Sequence, residues 1–458
     1  MRRFLLPLAH FALAASAVLA ADPAPDADAA MLRRIYDAAL TDGTSYARLD
    51  ELVTKYPGRL SGSKKLEQAV EWAKVVLERQ GVDRIELQSV KVPHWERGAP
   101  ESVRYSSKGV SHPLAAYAVG GSVPTPADGI KAKGVELKSL DELKTTDVKD
   151  KIVFFNRPMN PADVSPGEAY GGAGDQRNRG PSRAAHYGAV AVLVRSLTHS
   201  LDDHPHTGNT TYLPEIPRIP AAALSTLAAD RLSAALRADA SLQVEIVINS
   251  QWHPDADSHN VIGELRGAEK PEKILLVGGH LDSWDITPGA HDDGAGVVQS
   301  MEVLRIFQAI GYKPRHTIRC VLFTNEENGL RGAAEYSRVV GERREEHLLA
   351  LESDTGGFGA SGFQLGNTAG NAHTRAARWA PLFEPYGVYH WESGTGGADV
   401  GPLMARGYTV GEILPASQRY FDYHHTSIDT LDKVNPRELQ LGAAAMAALV
   451  YLVDRHGP

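Results

Sequence analysis

Residues 275–296 read LLVGGHLDSWDITPGAHDDGAG. An apolar run stops at a glycine pair, and then two histidines and four aspartates crowd into fourteen residues among Gly, Ser and Thr. The run has no polar alternation, as expected of a strand buried on both faces. From Gly294 the chain continues as GAGVVQSMEVLRIFQAIG, with apolar residues at helical spacing and a stop at Gly311. The alternation then repeats. HTIRCVLFTNEE reads as a strand, RGAAEYSRVVG as a helix, LLALESDTGG and YTVGEIL as strands, and NPRELQLGAAAMAALVYLVDRH as a long closing helix. Apolar strands alternating with helices predict an α/β fold with a mostly parallel central sheet and helices on both faces. In open sheets of this kind function gathers outside the carboxyl ends of the strands.

Upstream, SGSKKLEQAVEWAKVVLERQG reads as a helix capped by Ser63 and closed by Gly81, and RIELQSVKV as a strand. Composition shifts near residue 105. Between there and about 254 the chain shows short strands (KIVFF, AVAVLV, RIPAAAL, LQVEIVI) and two helical segments, SRAAHYG and TLAADRLSAALRA. GGAGDQRNRG, 171–180, does not join a strand to a helix as a phosphate cradle would, and is expected to be a mobile surface loop. The expected organisation is a signal segment at 1–20, a first part of the main domain at 21–105, a smaller β-rich insert at 106–254 and the main domain at 255–458.

The 458-residue chain carries a formal net charge of −8 and no Lys/Arg-rich block, which argues against a nucleic-acid partner. MRRFLLPLAHFALAASAVLA has the basic, apolar and small-residue layout of a secretory signal cleaved near Ala20. The chain is therefore expected to be exported, to the periplasm or the medium. The apolar part is short and holds Pro7 and His10, and no other stretch is long enough to span a membrane. Cys320, the single cysteine, lies in the apolar run TIRCVLF, so it is expected to be buried and no internal disulfide exists.

Three strands deliver charge at their carboxyl ends: His280 and Asp282 after LLVGG, Glu326 and Glu327 after VLFTN, and Asp354 after LALES. Asp292 and Asp293 precede a helix, and His424 and His425 arrive late in FDYHHTSIDT. So many carboxylates on one rim repel and need a counter-charge. A divalent cation provides it, and imidazole with carboxylate suits zinc, with cobalt or manganese as substitutes. Two histidines and three carboxylates exceed one tetrahedral zinc and suit a two-metal site.

GGHLDSW, HDDGAG, NEENGLRGA, ESDTGG and HHTSIDT, in this order, resemble the M28 family of co-catalytic zinc exopeptidases. The resemblance covers residues ~255–458 and the RLSGS stretch near 59–63; residues ~106–254 more weakly resemble the protease-associated insert of that family. It implies two Zn2+ per chain. His280 and Asp354 would hold one, Glu327 and His425 the other, with Asp292 bridging; Glu326 would be the general base and Asp282 would orient His280. The implied reaction is hydrolysis of peptide bonds in small peptides, from the amino end, the carboxyl end or in dipeptides. A homodimer is compatible with the resemblance. Two other readings fit the scaffold: a single-zinc aminoacyl cyclotransferase of the glutaminyl cyclase type, and a receptor-like binding protein without catalysis. His291 departs from the small or apolar residue expected before the Asp pair. His424 is expected to pack beside the site. His199, His204 and His206 are expected to be plain loop residues, or to face substrate if the insert folds over the rim; 394–400 (GTGGADV) and the insert loops are candidate specificity walls, and Asn209-Thr210-Thr211 fits a glycosylation acceptor.

Overall fold

The computed structural model describes residues 25–458; the signal segment read at 1–20 lies outside them. The main sheet has eight strands in the spatial order 84–96, 251–265, 316–323, 270–280, 346–352, 410–415, 360–366 and 390–393. Its centre is parallel: Lys270–His280 pairs parallel with His316–Phe323 and Glu346–Glu352, and the latter with Val410–Pro415. The flanks are antiparallel, through Gln251–Leu265 on one side and Ala360–Gly366 on the other. The sequence shows the parallel centre. It does not show Ala360–Gly366 and His390–Ser393, which are short and lack an apolar run.

Both faces of the central strand are covered. Leu275 and Val277 face one core with the helices Pro25–Asp42, Ala295–Ala309 and Pro436–His456. Ile274 and Leu276, one residue out of step, face a second core with Tyr336 and Val340 of the helix Arg331–Arg343. The period of two explains why the strand reads as unbroken apolar sequence. Cys320 is buried in the first core. Helix ends follow local chemistry. Ser63 Oγ accepts from Leu66 N at 3.2 Å, and Gly81 closes that helix at φ 72°.

A second eight-stranded sheet is built from strands between Ser102 and Val247, with its own two cores. GGAGDQRNRG is not an extended surface loop here. It folds into short helical turns, Pro166–Ala173, Asp175–Asn178 and Gly180–His186, with Gln176 and Arg177 buried. Among the described residues no helix is long and apolar enough to cross a membrane.

Candidate active site

The carboxyl ends of the parallel strands build one cluster. His280 closes its strand, and its Nε2 lies 3.1 Å from Asp354 Oδ1 and 3.2 Å from Asp292 Oδ1. His425 Nε2 lies 3.1 Å from Glu327 Oε2 and 3.3 Å from Asp292 Oδ2. Asp292 therefore stands between the two groups, one oxygen toward each imidazole. His424 stacks on His425 with ring centroids 3.5 Å apart, and its Nε2 is 3.6 Å from Asp292 Oδ2, so it packs directly beside the cluster.

The backbone around the cluster is shaped to hold it. Asp429 accepts from the N–H groups of His291 (2.8 Å) and Asp292 (3.0 Å), fixing the turn that carries the central carboxylate. Asp293 accepts from His280 N at 2.9 Å and Gly296 N at 2.9 Å, tying the strand end to the helix start. That approach needs glycine, because a Cβ on Gly296 would come within 1.9 Å of Ser353 O. Arg59, from RLSGS, is buried and donates to the carbonyls of Leu281, Pro288 and Gly289. These clamps were not read from sequence; the signal for Asp429 lies in the His-Thr-Ser-Ile-Asp-Thr run that singled out His425.

Asp282 meets His280 through its backbone and uses its carboxylate elsewhere. Its carboxylate is 3.8 Å from His280 Nδ1, and that ring nitrogen pairs instead with the Asp282 backbone carbonyl at 3.0 Å. The carboxylate accepts from Glu326 N (3.1 Å) and Glu327 N (3.3 Å), so it sets the turn that parts the two glutamates. Glu327 turns inward, where Trp284 N donates to its Oε1 at 3.1 Å, and Glu326 faces the open cavity. His291 does not crowd the cluster. It stacks between Phe358 and Tyr423 and accepts from Gly357 N at 3.1 Å.

The cavity over the cluster measures about 550 Å³. Its floor is Asp292, Glu326, Glu327, Asp354, His424 and His425. Part of its wall comes from the middle of the chain, Tyr170, Arg177, Asn178, Asn209 and Thr211, and part from Leu330, Tyr420 and Phe421. Residues 394–400 do not line it. Asp399 N and Val400 N instead donate to the buried carboxylate of Glu352. His206 is buried and pairs with the carbonyl of His424 at 2.8 Å, so it supports the floor, while His199 stays exposed and His204 half-buried in the loop. Asn209, as a lining residue, leaves no room for a glycan without filling the cavity.

Burial pushes Glu326 up to about 8 and Glu327 and Asp354 above the ordinary carboxylate range, with neighbouring carboxylates adding to the rise. Asp292 is held low: burial acts against it, but His280, His424 and His425 outweigh that. Among the described residues, Asp292, Glu327 and Asp354 pair with histidines and with no Lys or Arg. Buried carboxylates left this way are costly, and a donor set of two imidazoles and three carboxylates fits divalent cations.

The sequence profile of Peptidase family M28 matches residues 260–450. The chain is 34% identical over 411 residues to carboxypeptidase Q of Bos taurus, covering 89% of this chain and 85% of that one. The chain belongs to peptidase family M28. It is a metallopeptidase. Carboxypeptidase Q of Homo sapiens is 33% identical over 414 residues, again with 89% and 85% covered. Among solved structures, a peptidase M28 precursor from Shewanella amazonensis SB2B superposes with a TM-score of 0.89 at 34% identity, covering 94% of this chain and 97% of that one. A zinc aminopeptidase from Bacillus subtilis shares the fold, with a TM-score of 0.66 at 20% identity over 90% of this chain and 95% of that one.

Proposed function

We propose that this M28 peptidase is an exported di-zinc exopeptidase that hydrolyses short peptides carrying a free carboxyl terminus. One observation carries the two-metal reading: the carboxylate of Asp292 spans two ligand groups, His280 with Asp354 and His425 with Glu327. When bound, two cations would supply Lewis acidity and water activation. Around them, Glu326 takes a proton from the attacking water onto its carboxylate and returns it to the leaving amine. His280 is oriented by the Asp282 carbonyl, and Glu327 is held by Trp284 N–H. Asp282, which holds the N–H groups of both glutamates, keeps base and ligand apart. Export rests on the layout of residues 1–20.

Arg177 supports the carboxyl-terminal end of the reading. Among the described residues it is the single Lys or Arg lining the cavity. Nη1 donates to Thr207 O at 3.0 Å and Nη2 to Tyr170 Oη at 2.5 Å, which fixes the guanidinium, while its buried Nε has no hydrogen-bond partner. A guanidinium fixed in the lining of a cavity that also holds the carboxylates suits a peptide carboxylate. The test is a panel of free, amino-acetylated and carboxyl-amidated peptides with the zinc-loaded enzyme and its Arg177→Gln variant. Amidation should cost at least tenfold in kcat/KM for the parent and little for the variant, while acetylated peptides remain substrates. Loss of acetylated substrates with retention of amidated ones would make the enzyme an aminopeptidase. A metal content near one per chain would favour single-metal acyl transfer over the two-metal reading.

A further inference from the structure

Away from the peptidase centre, the two strands at one edge of the main sheet bring together His94, Glu96 and His253. His94 and Glu96 are two apart on Arg84–Glu96, so they share one face, and His253 is the cross-strand partner of His94 on Gln251–Leu265. The pairing shifts register between Val92 and His94, an irregularity of the kind that re-aims side chains at a sheet edge. Glu96 Oε1 lies 3.2 Å from His94 Nε2, and Oε2 lies 3.3 Å from His253 Nε2. One ligand atom from each residue falls within 4.8 Å of the others. The two rings lie with centroids 4.5 Å apart, and both Nε2 atoms approach the one Glu96 carboxylate.

Two further features set this group apart from an ordinary surface ion pair. The His253 Nε2 is buried yet makes no hydrogen bond, so its approach to Glu96 leaves that nitrogen unsatisfied. His94 is backed by the chain itself: a Cβ on Gly62 would come within 2.8 Å of its Cβ, so its ring is held in place. Among the described residues Glu96 has no Lys or Arg partner. Two nitrogens and a carboxylate converging from two rigid strands, with one side open to water, form the three-ligand set of a borderline divalent cation.

We propose that His94, Glu96 and His253 bind a further Zn2+-class cation, separate from the peptidase centre, that clips the edge strands together. Its place in the fold gives the clip a target. Trp95, between the two ligands, points the other way and packs with Leu60 and Trp284, the residue whose N–H holds Glu327. The inference does not depend on the peptidase's substrate. It is tested by equilibrium dialysis of the full chain against buffered Zn2+, counting bound metal by elemental mass spectrometry. Saturated parent protein should hold one ion per chain more than His94→Ala/His253→Ala. Equal metal content in the two proteins would overturn the proposal. Glu96→Gln, isosteric and partly exposed, covers the case in which the double variant does not fold. It should weaken the additional ion at least tenfold while short-peptide turnover at low zinc stays at the parent rate. An additional ion bound as tightly as in the parent would also overturn it.

Discussion

Neighbouring residues of like charge do opposite work in this molecule, and the backbone decides which does what. Glu326 and Glu327 differ by one position. Asp282 holds both of their N–H groups, and both side chains line the cavity, but only Glu327 is tied back by Trp284 N–H. Glu326→Gln should leave metal content unchanged and lower kcat about 10²–10⁴-fold, the usual worth of a positioned base. Parallel metal analysis and steady-state kinetics check this; a variant turning over at the parent rate would take Glu326 out of the reaction. The residue scale is also where the sequence was most legible. His280, Asp292, Glu327, Asp354 and His425 converge as their motifs imply. The partner of Asp282 was not legible, because i and i+2 spacing says that two side chains share a face and not which hydrogen bond either of them prefers.

At the scale of elements, the ligands are only as well placed as the turns that carry them. The Asp292 turn has no regular hydrogen-bond ladder and depends on Asp429, 137 residues away along the chain, to accept its N–H groups. Asp429→Ala should therefore weaken metal affinity about 10–100-fold, as loss of an outer support commonly does, with little change in the rest of the fold. Metal titration of the apo-protein reads this out; unchanged affinity would mean that Arg59 and Asp293 suffice to hold the turn. Strands with long apolar runs were legible, as was the helix capped by Ser63. GGAGDQRNRG was misleading. Its composition says solvent, but Arg177 and Gln176 are buried by partners remote in sequence: Thr207 O for the first, and the Arg157 backbone for the second. Tertiary hydrogen bonds of that kind leave no periodic trace.

Across the whole molecule, the peptidase centre is a cluster of buried carboxylates and imidazoles lying where both sheet regions meet. Filling it should stabilise the fold strongly. A site held at a hundredfold excess over its Kd contributes about 2.7 kcal/mol, so a chelator should lower Tm by several degrees and abolish peptide turnover, with both restored by zinc. Calorimetry with and without chelator checks this, and an unchanged Tm would mean that the apo-cluster is already neutralised by protons. The overall α/β plan was legible because helix and strand periods alternate over long stretches. That loops from the middle of the chain could wall the rim was expected, but not which residues do so, since no local pattern records which distant loop a wall residue meets.

One contact ties these scales together. The N–H of Thr207 donates to the carbonyl of His425 at 3.0 Å, and His425 Nδ1 reaches back to the Thr207 carbonyl at 3.3 Å. The loop that walls the cavity is thus fastened to a histidine of the proposed metal centre. A change in this loop pulls on that histidine. Substitutions at Tyr170, Asn178 and Thr211, which line the cavity without taking part in that pair of bonds, should reshape the cavity and leave the histidine in place.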